Sequence, residues 1–453
     1  MHEQKKRLKL LLKICQRLGR STGDRQLRIL SSEQLGYVSH RLSVPCHVEA
    51  CPGSGKTEIV GIKAAYEFLG WQDRFSGIAI LTFTKNAAAE IKSRVVHYAG
   101  ARSTIHPHFV GTIDSWLHSY LFQPFSHAVT GYLGALDGDR STRIIESDTV
   151  PAFLNNYIVT ANGGGAVFAN QYHQRLDGRL EGETSLARFD QQQLERTKRR
   201  FLKDGFATYQ DAETLCYRVL RECQIIAKLL ARRFTHIIVD ECQDLSDTQL
   251  YVFYELLKAG AVFHFVGDLN QAIYEFRSVN PSNVASFVKK QGFVRRSLTQ
   301  NHRSNQPIVD VCSRLIGIGG IQASRPVASE TPCILWQYTD HTFGSLPRFF
   351  HKVITSAGLS DQNSCIVARG RSLIKQLSPQ TEAHIGPVQL FEVALSCWKL
   401  ANRSAHHMQR ALDYAGKSLS VLAYGGRGHH SKQYCPEKVD SKKWRIFLAD
   451  VLN

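Results

Sequence analysis

Residues 50–57 read Ala-Cys-Pro-Gly-Ser-Gly-Lys-Thr, between a short apolar run ("HVEA", 47–50) and a helical pattern ("TEIVGIKAAYEFL", 57–69). That order leaves few options for the backbone. Gly53 and Gly55 let main-chain N–H groups turn inward around an anion. A helix opening at this point adds its positive dipole end. Lys56 places a compact charge where β- and γ-phosphates would lie, and Thr57 offers a hydroxyl to Mg2+. The segment fits the phosphate-loop pattern G-x-x-x-x-G-K-[ST], except that Ala50 takes the first glycine position. Cys51, Pro52 and Ser54 complete the loop. Such a loop requires a strand before it and a helix after it, which commits this region to an α/β fold.

Further apolar runs extend that reading. "IAILTF" (78–83), "HIIVDE" (236–241) and "VFHFVGD" (262–268) predict buried strands, each beside helical segments, as in a parallel sheet with crossover helices. Between 113 and 225 the texture changes to helix formers, the loop "NGGG" (162–165) and a charged stretch (191–204), which predicts a mainly helical insertion. Past 300 a second α/β region is expected, with "CILWQY" (333–338) and "CIVAR" (365–369) as candidate strands. From about 387 the pattern is helical and then dissolves into "YGGRGHHSKQYCPEK" (424–438).

The chain has 453 residues and a formal net charge of +17, which favours a polyanionic partner, most often nucleic acid. Eleven cysteines are scattered without any Cys-x-x-Cys, which argues against a disulfide framework or zinc finger and for a reducing, cytoplasmic setting. No apolar run reaches the length needed to span a bilayer. Residues 1–30 are expected to form a basic amphipathic helix. The pairs His406–His407 and His429–His430 lack a Cys or acid at ligand spacing and are read as surface residues.

"HIIVDECQD" places Asp240 and Glu241 at the end of an apolar strand. The first acid is suited to holding Mg2+ and the second to orienting or deprotonating a water. Adjacent acids also occur at solvated helix N-termini. "VGDLNQAIYEFR" (266–277) brings Gln271, an amide able to touch a γ-phosphate, and Tyr274 and Phe276, which either stack on bases or belong to the core. Arg303 in "NHRS" is a candidate for reaching the γ-phosphate.

Together these motifs resemble the UvrD/Rep-like group of superfamily 1 DNA helicases, over roughly residues 30–370. "SSEQ" carries Gln34, 22 residues before Lys56, like the family's adenine-reading glutamine. "ACPGSGKT" resembles motif I, "LTFTKNAAAEIKSRV" (81–95) motif Ia, "GTIDSW" (111–116) motif Ib, "VDECQD" (239–244) motif II, "VGDLNQAIYEFR" motif III and "LTQNHRS" (298–304) motif IV. The resemblance implies that Lys56, Thr57 and Asp240 hold ATP and Mg2+, with Thr57 and Asp240 on the metal. It implies that Glu241 activates water, Gln271 couples the γ-phosphate to the DNA site and Arg303 stabilises charge. His302 takes the place of an adenine-stacking Tyr. Phe83, Thr84, Thr112, Trp116, Tyr274 and Phe276 would line a path for single-stranded or partially duplex DNA.

The implied fold is a P-loop NTPase (RecA-like) core at 31–112 and 226–295, with the insertion at 113–225. A second, incomplete RecA-like domain is expected at 296–386, then the start of a further helical insertion and tail at 387–453. Lys85 and Asn86 stand in the reverse of the usual order, Asp114 where His is common and Trp116 where Phe is common. Motifs V and VI are not found. The expected function is an ATP-dependent, 3′–5′ helicase or translocase, as in DNA repair, crippled on its own by the missing motifs. The alternative is an ATP-gated DNA-binding subunit of a repair or defence complex, whose protein partner supplies those motifs or a nuclease. A kinase or GTPase would not need a base-stacking turn after the third strand.

Overall fold

The computed structural model describes residues 30–452, except 101–104, 136–137, 148–151, 162, 183, 270–280, 326–332, 340–342, 361–363, 369–372, 375–376, 378–385, 399–404, 426–433 and 437–438. The expected N-terminal helix, Gln271, Tyr274 and Phe276 lie outside the described residues, as does His429–His430. The chain divides into two units between Cys333 and Ile334.

The first unit is built on six parallel strands: β1 (Cys46–Ala50), β2 (Gly77–Thr82), β3 (Phe109–Thr112), β4 (Phe234–Asp240), β5 (Val262–Gly267) and β6 (Val294–Leu298). Their spatial order is β6–β1–β5–β4–β2–β3, and every pairing is parallel. Before the insertion come helices α1 (Ser32–Val38), α2 (Lys56–Gly70) and α3 (Lys85–Ala99). After them come α4 (Gln191–Lys203), α5 (Tyr209–Glu222), α6 (Gln224–Arg233), α7 (Asp247–Lys258), α8 (Pro281–Lys290) and α9 (Gln306–Ile316). Four of the predicted strands are present with boundaries shifted by two residues or fewer.

Both faces of the sheet are covered, which is why its central strands are mostly apolar. Ile78, Ile80, Ile238 and Val266 join Ile59, Ile62 and Ile91 from α2 and α3 in one core. Ala79, Leu81, Ile237, Val239 and Phe265 point the other way, into a second core with α5, α6, α7 and α8. The strand β6 escaped the hydrophobicity reading because it lies at the sheet edge and carries Arg295 and Arg296, the charge that an edge strand tolerates.

The segment 113–225 carries helices, α4 and α5 among them, together with short strands. It holds two short antiparallel hairpins, Ile158–Thr160 with Ala166–Phe168 and Tyr172–Gln174 with Leu180–Gly182. Gly163, Gly164, Gly165 and Gly178 take positive φ in their turns, which only glycine does cheaply. The "NGGG" and "LDGR" segments were therefore hairpin signals. A separate core of Leu154, Val159, Val167, Tyr172 and Phe201 joins these hairpins to α4.

In the second unit the strands expected at 333–338 and 365–369 are not formed among the described residues. Leu335 is 98% exposed and Val367 88%. A parallel strand is stable only with neighbours on which to pair, and among the described residues these runs pair with none. The unit's described core is helical instead. Helices α11 (Pro387–Trp398), α12 (Ala405–Tyr424) and α13 (Ser441–Leu452) bury Ala394, Leu412, Ala415, Trp444 and Leu448. A shorter helix, α10 (Leu346–Ser356), precedes them. No helix among the described residues is long and apolar enough to cross a membrane.

One buried histidine, His108, and one half-buried, His236, make the first unit sensitive to acid. The His108 ring stacks on Phe68 with centroids 3.7 Å apart, and its Nδ1 accepts the Ile78 N–H at 3.1 Å. That bond requires an unprotonated Nδ1. Burial, then the Arg233 charge, pushes His108 down to about 4. Burial, then Lys63, pushes His236 down to about 4 as well. Each folded value lies below the ordinary 6.5, so the unfolded chain takes up protons first as pH falls. The stability both rings contribute is complete above pH 6.5 and is lost towards pH 4. At pH 5 the loss is about 2 kcal/mol or less for each ring. Urea midpoints from tryptophan fluorescence at pH 7.5 and 5 should fall accordingly, and a His108→Asn variant should shrink the difference. Equal midpoints would count against it.

Candidate functional site

The carboxyl ends of β1, β2, β3 and β4 come together at one edge of the sheet, where parallel α/β folds bind ligands. β1 ends at Ala50, in extended backbone, so no glycine is needed there. The loop then turns through Gly53 at φ 71° and Gly55 at φ 82° into α2, whose first residue is Lys56. Gly53 is also required by closeness: a Cβ there would lie 2.8 Å from the Asn301 amide and 2.9 Å from the Arg303 Cβ.

Neighbouring segments hold the loop in this shape. The Cys51 N–H donates to the Leu298 carbonyl at 2.8 Å and the His302 N–H to the Gly53 carbonyl at 2.9 Å. Asn301 Nδ2 donates to the Pro52 carbonyl at 2.7 Å. Gln34 Nε2 donates to the Ser54 carbonyl at 2.9 Å. The Pro52, Gly53 and Ser54 carbonyls thus face outward to partners, while the Ser54 N–H turns back to the Cys51 carbonyl at 3.2 Å. Burial pushes the Cys51 thiol up to about 11, so it stays protonated and unreactive at neutral pH.

The acids meet the loop from β4. Thr57 Oγ1 donates to Asp240 Oδ2 at 3.2 Å, and Lys56 Nζ lies 3.5 Å from Glu241 Oε2. Asp240 is fully buried. Burial, then the Glu241 charge, pushes it up to about 7, while the Thr57 hydroxyl and Lys56 pull the other way. A buried carboxylate facing a threonine hydroxyl is a costly arrangement that a divalent cation would relieve. The residues present therefore fit Mg2+ held by Thr57 and Asp240.

Glu241 has φ 58° and ψ 43°, the left-handed region that side chains other than glycine occupy at a cost. That strain turns its carboxylate back towards the loop. The expected outcome is a comparison of two truncations: Glu241→Gly should be about 1 kcal/mol more stable than Glu241→Ala in urea unfolding, since both lose the same contacts and only one keeps the strain. An alanine variant as stable as the glycine variant would show that no strain is held there.

Arg303 is exposed beside Gly53, and its N–H donates to Asn301 Oδ1 at 2.8 Å. His302 Nδ1 is 2.8 Å from Ser324 Oγ. Thr84 and Thr112 end at the same sheet edge and cap helices, accepting the Ala87 and Ser115 N–H groups at 3.1 Å. Phe83 packs partly buried against the core. Trp116 is a correction: it is 0% exposed, with its ring 5.7 Å from that of Phe234 and 6.0 Å from that of Tyr120. It belongs to the core and cannot meet a DNA strand from there.

Two site residues were not singled out from the sequence. Asn301 grips the loop from a short strand, Gln300–Asn301, that pairs with Gln322–Ala323. Gln243, inside "DECQD", donates to Glu241 Oε2 at 2.8 Å.

Residues 30–291 match the UvrD/REP helicase N-terminal domain, more than half of the chain. The chain belongs to the UvrD/REP helicase family. Its curated relatives include ATP-dependent DNA helicase UvrD1 of Mycobacterium bovis, 28% identical over 322 residues, or 66% of this chain and 40% of that protein. Putative ATP-dependent DNA helicase YjcD of Bacillus subtilis is 28% identical over 289 residues, 62% of this chain and 37% of the relative. ATP-dependent DNA helicase Rep of Buchnera aphidicola subsp. Schizaphis graminum is 25% identical over 283 residues, 60% and 42%. The chain thus spans about two fifths of the length of these UvrD/REP helicases. The matched region holds the phosphate loop, both acids and five of the sheet's six strands.

Proposed function

We propose that this chain binds ATP with Mg2+ in the loop of residues 50–57 and couples its hydrolysis to movement on single-stranded DNA, in the 3′–5′ sense that the family resemblance implies. The observation that carries the proposal is the Thr57–Asp240 hydrogen bond at 3.2 Å, which joins the phosphate loop to the strand bearing both acids. Backbone N–H groups of 53–57 cradle the phosphates and Lys56 neutralises their charge. Mg2+, when bound, supplies charge stabilisation between the phosphate oxygens. Glu241 takes the proton of a water as its oxygen bonds to the γ-phosphorus and the bond to the β-phosphate oxygen breaks. Arg303 offers charge to the γ-phosphate, Gln271 senses it, and Gln34 and His302 meet the adenine. Phe83, Thr84, Thr112, Tyr274 and Phe276 meet the strand.

A second reading has one observation in its favour. The expected strands of a second RecA-like domain are not formed among the described residues, which suits an ATP-gated DNA-binding subunit better than an autonomous unwinding motor. Turnover of the pure 453-residue chain, with and without single-stranded DNA, separates the readings. DNA-stimulated hydrolysis supports the motor. ATP-sensitive DNA binding without turnover supports the subunit. Neither nucleotide binding nor hydrolysis would overturn both.

A further inference from the structure

We infer that Gln243 is a positioning residue that keeps Glu241 in its working place once Lys56 has moved to the phosphates, an assignment that rests on the hydrolysis reading above. Glu241 sits on no regular element: its backbone is left-handed, at the start of the single turn Cys242–Asp244. Among the described residues two donors meet its Oε2, Lys56 Nζ at 3.5 Å and Gln243 Nε2 at 2.8 Å. Lys56 is also the residue the phosphates require. When they draw it away, Gln243 remains on Oε2, and Oε1 is the oxygen left to accept a proton from water.

Gln243 is itself fixed from the other side. It is 3% exposed, and its Oε1 accepts the Asp268 N–H at 3.1 Å, just past the end of β5. The space around it is closed. A Cβ on Gly267 would lie 2.5 Å from Gln243 Oε1 and 2.6 Å from Cys242 Sγ. Position 243 must donate to a carboxylate and accept from a backbone amide at once, which an amide of this length does and a carboxylate or thioether does not. Because Glu241 and Asp268 are held by the two ends of one side chain, the amide also ties the acid to the strand β5.

The test uses the full chain. Gln243→Glu keeps the acceptor for Asp268 and removes the donor to Glu241, and Gln243→Met removes both at similar volume. Each should lower DNA-stimulated kcat at least 30-fold and raise KM for MgATP by no more than tenfold. In a Glu241→Gln background, adding Gln243→Met should cost nothing more, because residues that act through one another are not additive. Binding of ATPγS with Mg2+ is read in parallel. Gln243→Met should weaken it three- to tenfold, because an unheld Glu241 pairs with Lys56, and this effect should vanish in the Glu241→Gln background. Gly267→Ala, which displaces the amide from outside, should reproduce the kcat loss.

Equal losses in both backgrounds, a loss confined to KM, or no loss would overturn the assignment. If the unaltered chain shows no turnover, the hydrolysis reading fails by itself, and the ATPγS comparison alone decides on Gln243. If Gln243→Met loses its near-ultraviolet dichroism, Gln243→Glu carries the same comparisons, and unaltered ATPγS binding in it would overturn the assignment.

Discussion

A Lys56→Ala variant should lose about 10²–10³-fold in ATP turnover, the scale seen when one preorganised charge or donor is taken from a transition state. Two effects converge. The β- and γ-phosphates lose their compact cation, and the Glu241 carboxylate loses the partner now 3.5 Å from its Oε2. The loop itself should survive, because its shape depends on Gly53, Gly55 and the bonds from Gln34, Asn301 and His302 rather than on the lysine side chain. Single-stranded DNA should therefore still bind in the absence of nucleotide, and MgATP should no longer alter that binding. The measurements are steady-state phosphate release and fluorescence anisotropy of a labelled oligonucleotide with and without MgATP. Turnover within tenfold of the unaltered chain would remove Lys56 from the role assigned here.

The second large effect concerns Trp116. Fully buried against Tyr120 and Phe234, it should cost about 3–5 kcal/mol when cut to alanine, as large aromatic truncations in close-packed cores do. Its loss should be felt as a lower unfolding midpoint of the first unit. DNA affinity, measured well below that midpoint, should stay within twofold. Trp116→Phe retains most of the ring volume and should lose far less stability. A tenfold drop in DNA affinity for Trp116→Phe at unchanged stability would return this residue to the strand path.

Trp116 also shows where sequence reasoning stops. Its motif position suggested a nucleic-acid contact, but the helix Ile113–Leu117 that follows β3 places Ile113, Trp116 and Leu117 inward and leaves Asp114 and Ser115 outside. Helical periodicity decided the outcome, and a motif match does not encode it. The phosphate loop was legible because each of its residues has a chemical reason at a fixed spacing. The central strands were legible because burial on both faces demands mostly apolar runs. The same logic misled at 333–338 and 365–369, where apolar runs exist but, among the described residues, no neighbouring strands give their backbone groups partners. The hairpins of the insertion were written in Gly-rich turns that a helix-biased reading of composition passed over. The left-handed backbone of Glu241 had no signal at all, since no glycine marks it.

Lys63, on α2, has one consequence for the whole pocket. Its fully buried ammonium donates to the Val38 and His40 carbonyls at the C-terminal end of α1 and pairs with Glu67 at 2.8 Å. Such a cation, in a helix-terminal seat, binds α1 to the helix that starts at the phosphate loop. Gln34 belongs to α1 and Thr57 to α2, so the end of the pocket proposed for the base and the end proposed for the phosphates are braced against each other through one buried cation. A shift of either end without the other would have to strip that charge of its ligands, so the two ends are expected to move together.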